Sequence, residues 1–248
     1  VLVDSGAYAR LGAFLPMFTL PMAVGVYDIE NVETNAITVV TNTTPTEAYR
    51  GAGRPEATLT IERAVELWAS EAGLDPIAVR RKNFLAADSF PATTGVGTVY
   101  DSGDYERSLD LALEAAGYEE LKKQQQERRL EGSSKQLGIG IATYVEVTAG
   151  PAPGGSEYGK VEITPDGRAK VYSGALSHGQ SHMTTFSMIA ADQLGMNIED
   201  IEFIQGDTDV VTDGTGTWGS RSTQLGGSSV YKAAERVVER ARSLAADL

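Results

Sequence analysis

The 248-residue chain has no cysteine. It therefore forms no disulfide, offers no thiolate to zinc and ligates no iron–sulfur cluster. Histidine is nearly as scarce, with two residues, too few for a transition-metal site built wholly from side chains. Positive charge is also short. Against 34 Asp and Glu stand 21 Lys and Arg, a net charge of −13, which disfavours a nucleic-acid binder, since that needs a basic face. No apolar run reaches the roughly 20 residues of a membrane-spanning helix; the apolar stretch 11–26 is interrupted by Pro16, Pro21 and Gly25. No signal-peptide pattern opens the chain. It starts at Val1 without Met and stops in a helix-like run, and is expected to be a central piece of a longer protein.

What is present is enough apolar residue for a packed core, 42% of the chain, with a conspicuous loop near its first third. Ala48-Tyr49-Arg50-Gly51-Ala52-Gly53-Arg54-Pro55-Glu56 follows a polar run containing Thr43, Thr44 and Pro45. Pro55 suits a first helical turn, where a missing N–H costs nothing. Leu59, Ala64, Val65, Leu67, Trp68 and Ala72 then recur at helical spacing up to Gly73, which predicts an amphipathic helix over 55–72. A glycine loop at a helix start lets a ligand approach the backbone and attracts anions to free N–H groups. The same pattern also fits a plain tight turn.

Further along, the β-branched residues 37–40 predict a strand. Asp75-Pro76 opens a helix whose basic triplet Arg80-Arg81-Lys82 reads as a solvated face. Residues 86–103 read as loop, 105–116 as a helix, and the charged, Gln-rich 119–131 as a surface helix or linker. The domain boundary is placed at Gly132, giving domains 1–132 and 133–248. In the second half, 139–147 predicts a strand, followed by a loop over 149–156. Thr164-Pro165-Asp166-Gly167 marks a hairpin. Residues 201–204 form a further strand, and helices follow residue 182 and end the chain. The fold class is α+β, two mixed α/β subdomains.

A Gly/Ser/Thr loop leading into a helix thus occurs three times, at 50–54, 177–182 and 214–223. Each can present N–H groups to an anion, and the third adds the hydroxyls of Ser220, Ser222 and Thr223 and the Arg221 guanidinium. In an acidic chain, three such loops point to an extended anionic cofactor, though glycine at the joints of an α+β fold gives the same pattern. No P-loop is present, and no GxGxxG sits in a βαβ unit. His178 and His182 lack a third ligand. Asp207, Asp209 and Asp213 do not have EF-hand spacing and read as turn and cap residues.

The nine-residue stretch 48–56 resembles the molybdenum-binding large subunits of the xanthine dehydrogenase, aldehyde oxidase and aerobic carbon monoxide dehydrogenase family. The likeness extends through Thr41-Asn42, Arg80-Arg81-Lys82-Asn83-Phe84, Gly138-Ile139-Gly140, Gly179-Gln180-Ser181-His182, Gly206-Asp207-Thr208 and Gly219-Ser220-Arg221-Ser222. It implies oxidative hydroxylation of an aldehyde or N-heterocycle with water as oxygen source. It also implies a molybdenum carried by a molybdopterin, in its cytosine dinucleotide form, so that the protein supplies loops rather than metal ligands. Cofactor contacts are then expected at Arg50, Gly51, Ala52 and Gly53, at Gly179, Gln180, Ser181 and Thr184, and at Gly219, Ser220, Arg221 and Ser222. Partners would be an iron–sulfur small subunit and an FAD-binding medium subunit, in the cytoplasm.

Three departures from the family pattern stand out. The second loop reads Gly-Gln-Ser-His-Met where relatives commonly have Gly-Gln-Gly-His-Glu. Ala52 replaces the aromatic ring of purine-oxidising relatives. Neither the family's catalytic glutamate nor its upstream glutamine lies in this chain, so no catalytic residue is assigned and the isolated piece is expected to be inactive. A non-catalytic relative serving as a scaffold is the competing reading. The three loops are expected to converge on one cleft.

Overall fold

The computed structural model describes residues 4–149 and 155–248; most of the loop expected over 149–156 lies outside them. The chain divides into two compact units, Val1–Glu146 and Val147–Leu248. This division falls later than residue 132 because the segment beyond Ser134 is tied into the first unit. The Ile141 carbonyl accepts from Arg80 Nη2 at 3.2 Å, and Thr143 Oγ1 donates to Glu62 at 2.8 Å.

The first unit is mainly helical. Helix α1, Leu15–Thr19, lies within the apolar stretch that its prolines and glycine break up. Helix α2, Arg54–Ala72, runs from the first glycine loop and ends at Gly73. Helix α3, Pro76–Asn83, starts on Asp75, whose side chain accepts from the Ile77 N–H. A short antiparallel hairpin, β1 Ala92–Thr93 with β2 Val99–Tyr100, sits inside the stretch expected to be loop. Helices α4, Tyr105–Ala116, and α5, Tyr118–Leu130, complete the unit.

Three expectations for this unit fail. Residues 37–40 form no strand: no neighbouring backbone pairs with them among the described residues, and Ile37 is 81% exposed. Residues 139–147 alternate inward and outward at the period of a strand, yet no ladder forms beside them. Their β-branched and aromatic side chains fit a pleated conformation, but a strand also needs a partner for its N–H and C=O groups. Helix α2 buries Ala57, Glu62 and Ala69, leaving Leu59, Leu67 and Trp68 exposed. The face turned inward is chosen by a buried charge cluster rather than by the apolar stripe.

At the centre of that cluster is Arg80, 1% exposed, so the basic triplet is not uniformly a solvated face. Arg80 Nε donates to Glu62 Oε2 at 3.0 Å, and Nη1 to Glu66 and the Pro76 carbonyl. The Tyr27 hydroxyl donates to the other Glu62 oxygen, and the Tyr27 ring stacks on Phe84. Arg81, in contrast, pairs on the surface with Glu106 and Asp110.

Two buried tyrosines are expected to make this unit sensitive to alkali. The Tyr100 hydroxyl donates to the Gly25 carbonyl at 2.9 Å, and burial, with a smaller contribution from Tyr105, pushes its pKa up to about 12. Burial and the Glu62 hydrogen bond also raise Tyr27. A phenol that holds its proton more tightly when folded contributes fully below the unfolded value near 10 and loses that contribution as pH rises toward the folded value. Urea midpoints followed by circular dichroism are expected to fall from pH 10 to 12, and Tyr100→Phe to flatten that fall.

The second unit is an α/β layer. Strands β3, Gly159–Ile163, and β4, Ala169–Ser173, form the expected hairpin. Strand β5, Ile201–Gln205, adds parallel to β4, and helix α6, His182–Leu194, makes the crossover between them. The order is β3-β4-β5. Helix α7, Ser228–Ala246, packs beside α6 on the sheet. The core joins Val171 and Ala175 to Phe186, Ala190 and Val230. Gly226 lets the two helices approach: a Cβ there would stand 3.0 Å from the Phe186 ring.

Candidate functional site

The parallel β4–α6–β5 unit brings the second and third loops to the same end of the sheet. Ligands in such sheets bind beyond the carboxyl ends of the strands. The loop leaving β4 leads through Ser177-His178-Gly179-Gln180-Ser181 into α6, and the loop leaving β5 runs toward α7. Their roots touch. A Cβ on Gly214 would stand 2.6 Å from the Gly174 Cα, and the Ser177 N–H donates to Gln205 Oε1 at 2.9 Å. An open groove of about 300 Å³ lies between Gly174, Leu176, Asp207, Thr208 and Asp213. The first loop belongs to the other unit and is described separately.

Each loop has a distinct local device. In the first, Gly51, Ala52 and Gly53 all have positive φ, at 101°, 39° and 91°. Gly53 packs against α1, where a Cβ would meet the Leu15 carbonyl oxygen and the Thr19 backbone nitrogen at 2.9 Å. Arg54 Nη1 donates to the Ala52 carbonyl at 2.9 Å, while Arg50 is exposed. Gly53→Ala is expected to cost about 1–3 kcal/mol, read as a lowered urea midpoint and faster proteolysis at residues 49–54.

In the second loop, the Gln180 side-chain oxygen accepts from the His178 N–H at 2.7 Å, and the Gln180 N–H donates to Ser177 Oγ. Ser181 caps α6 at φ 62°, a left-handed conformation that costs glycine little and serine more. The glycine that the family pattern leads one to expect at this position would sit there without that cost. Thr184 and Met183 are exposed. His182, which the sequence left unassigned, is a core residue: Nδ1 lies 3.1 Å from the Ala175 carbonyl, and the ring stacks on Phe186.

In the third loop, Gly219 and Ser220 also have positive φ. Ser222 Oγ donates to Thr217 Oγ1 at 3.1 Å. The chain then makes a wide π-helical turn, Ser222–Gly227, before α7; such turns recur at functional sites. Arg221 is 3% exposed and faces inward. Its Nη2 donates to the Ser156 carbonyl at 2.7 Å, Nη1 contacts Thr215 Oγ1, and Glu157 Oε2 lies 3.7 Å away. Its guanidinium also stands over Trp218. It braces the loop rather than offering a free fork to a phosphate.

The amides of Ser181, His182, Met183, Gly219 and Ser220 find no acceptor among the described residues. No side-chain atom within 4 Å would obstruct a Cβ on Gly179 or Gly219. Open backbone donors next to unobstructed glycines suit a large anion better than a bare metal ion. Sequence reasoning missed Arg54, Glu146, Glu157 and Thr215, which hold the loops. The arginines were visible in the loops, but their acidic partners lie far away in sequence or beyond the glycine- and proline-rich linker.

Residues 1–84 and 111–248 match two families of molybdopterin cofactor-binding domain. The chain is 36% identical over 251 residues to the 6-hydroxypseudooxynicotine dehydrogenase complex subunit gamma of Paenarthrobacter nicotinovorans, covering 99% of this chain and 31% of that one. It is 36% identical over 261 residues to the carbon monoxide dehydrogenase large chain of Hydrogenophaga pseudoflava, covering 100% of this chain and 32% of that one. Quinoline 2-oxidoreductase from Pseudomonas putida 86 superposes with a TM-score of 0.86 at 30% identity, over 96% of this chain and 31% of that one. The chain spans about a third of the length of these relatives.

Proposed function

Since the chain belongs to the molybdopterin cofactor-binding family of molybdenum hydroxylase large subunits, we propose that it is the cofactor-cradling part of an enzyme oxidising an aldehyde or an N-heterocycle. One observation carries this most directly. Of the four non-glycine residues with positive φ among the described residues, Ala52, Ser181 and Ser220 fall one in each of the three loops. Side chains held in this conformation cost free energy and cluster where a backbone must meet a ligand.

When bound, the molybdenum–pterin group supplies a two-electron oxidation with water as oxygen source. The chain's own part is to bind and orient. The open amides at 181–183 and 219–220 would hold the anionic part of a molybdopterin cytosine dinucleotide. The Gln180 amide, Thr184 and the hydroxyls of Ser220 and Ser222 would add hydrogen bonds. Arg50, exposed beside Gly51 and Ala52, would face the substrate side, and Ala52 leaves room where a ring would stack on a purine. Electrons would pass to an iron–sulfur subunit and an FAD-binding subunit, a reading supported by the chain's lack of cysteine and by relatives that are themselves subunits of complexes. No helix is long and apolar enough to cross a membrane among the described residues.

Expressed at full length with its partner subunits, the protein that contains this chain is expected to retain stoichiometric molybdenum and to reduce a dye with an aldehyde or an N-heterocycle. A metal-free, inactive complex would point to a scaffold instead. Carbon monoxide is expected to fail as a substrate by the copper route. The resemblance places Gly51 where copper-dependent members carry a cysteine, and soft Cu(I) needs such a thiolate. Copper-dependent carbon monoxide oxidation would overturn that expectation.

A further inference from the structure

We propose that Glu146 and Glu157, at the two ends of the segment joining the units, are positioning residues for loops 50–54 and 213–221. Each glutamate holds the arginine that sets its loop. In the first unit, Glu146 Oε1 lies 3.4 Å from Arg54 Nε. That nitrogen is buried and has no hydrogen-bond acceptor among the described residues, so Glu146 serves it as a counter-charge. The same guanidinium stands over the Phe18 ring and holds the Ala52 carbonyl through Nη1. The pair thus bears directly on the one non-glycine residue in the left-handed run 51–53.

The second unit repeats the arrangement with stronger coupling. Glu157 accepts from the Thr215 N–H at 3.2 Å and from Thr215 Oγ1 at 2.9 Å, and it stands beside Arg221. Arg221 in turn reaches the Ser156 carbonyl, so residues 156–157 grip both ends of loop 215–221. One short stretch of chain therefore supplies the acidic partner for a loop in each unit. Describing these loops as cofactor loops rests on the function proposed above; the positioning itself does not.

The two pairs differ in a way that separates positioning from general stability. The Glu146 side chain is 40% exposed, whereas Glu157 is 1% exposed. Salt screens the first pair and leaves the second almost untouched. Peptide-resolved amide exchange of the chain is the test. Glu146→Gln is expected to speed exchange in 49–54 about tenfold, and Glu157→Gln in 213–221 by at least as much, with α4 and the β3–β4 hairpin unchanged. Raising salt to about 1 M should loosen 49–54 in the unsubstituted chain and leave 213–221 protected; this arm needs no variant to fold. Unchanged loops, or a uniform rise across a unit, would overturn the proposal. Loosened loops in a molybdenum-loaded protein that keeps all its metal would support the positioning and count against the cofactor reading.

Discussion

Glu62→Ala is expected to destabilise the first unit by about 3–5 kcal/mol, because it removes the buried counter-charge of Arg80 and leaves the guanidinium with the partly exposed Glu66. Glu62 accepts from Tyr27, Thr143 and Arg80 at once. Its loss also leaves the buried Tyr27 hydroxyl with Thr143 as its remaining partner and removes the Thr143 tie of the segment that ends at Glu146. Against a typical total of roughly 5–15 kcal/mol, a cost of this size brings the unit close to unfolding. Removing both charges with Glu62→Leu and Arg80→Met should cost less than Glu62→Ala alone, since desolvated pairs are often replaceable by apolar residues of similar volume. Urea denaturation with pulse proteolysis, read on peptides from α2 and α3, provides the measurement. A loss below about 1 kcal/mol for Glu62→Ala would show that the cluster is not what holds α2, α3 and residues 139–146 together.

Phe186→Ala should have a comparable effect on the second unit, about 3–5 kcal/mol. The ring is fully buried, stacks on His182 and meets Phe203 edge-on. It also packs against Gly226, in the turn before α7, where a Cβ would stand 3.0 Å from the ring. The cavity would open in the core shared with Val171, Ala175, Ala190 and Val230. Phe186→Leu should cost less, about 1.5 kcal/mol, because most of the volume is kept. The diagnostic reading is amide protection in α6 and α7, which should collapse in the alanine variant and largely survive in the leucine variant. Equal protection in the two variants would mean that the ring is not the keystone of this layer.

Local chemistry made much of the fold readable from sequence. Asp75-Pro76, the turn 164–167 and the glycines that close α2 and α4 each act within a few residues, so a linear reading finds them. The three glycine loops and their helices were equally visible, and so was the family to which they belong. Residues 37–40 and 139–147 mark the limit of that kind of reading. Their β-branched and aromatic character says that they can be extended, but strand formation depends on a partner backbone, which no local pattern encodes. Helix α2 shows the same limit: its apolar spacing gives the helix but not the face that is buried.

The sequence by itself determined the absences and the family: no cysteine in this chain, an excess of acidic residues, and three glycine loops at helix starts whose motifs carry the family resemblance. Only the tertiary structure decided that Arg80 is buried while Arg81 is not, that Arg221 faces inward, and that Ser181 occupies a left-handed position. It alone paired Arg54 with Glu146 and Arg221 with Glu157. These outcomes depend on which distant groups meet once water is excluded. A charge then goes where its partner and its hydrogen bonds offset the cost of desolvation, and residue spacing along the chain does not encode that balance.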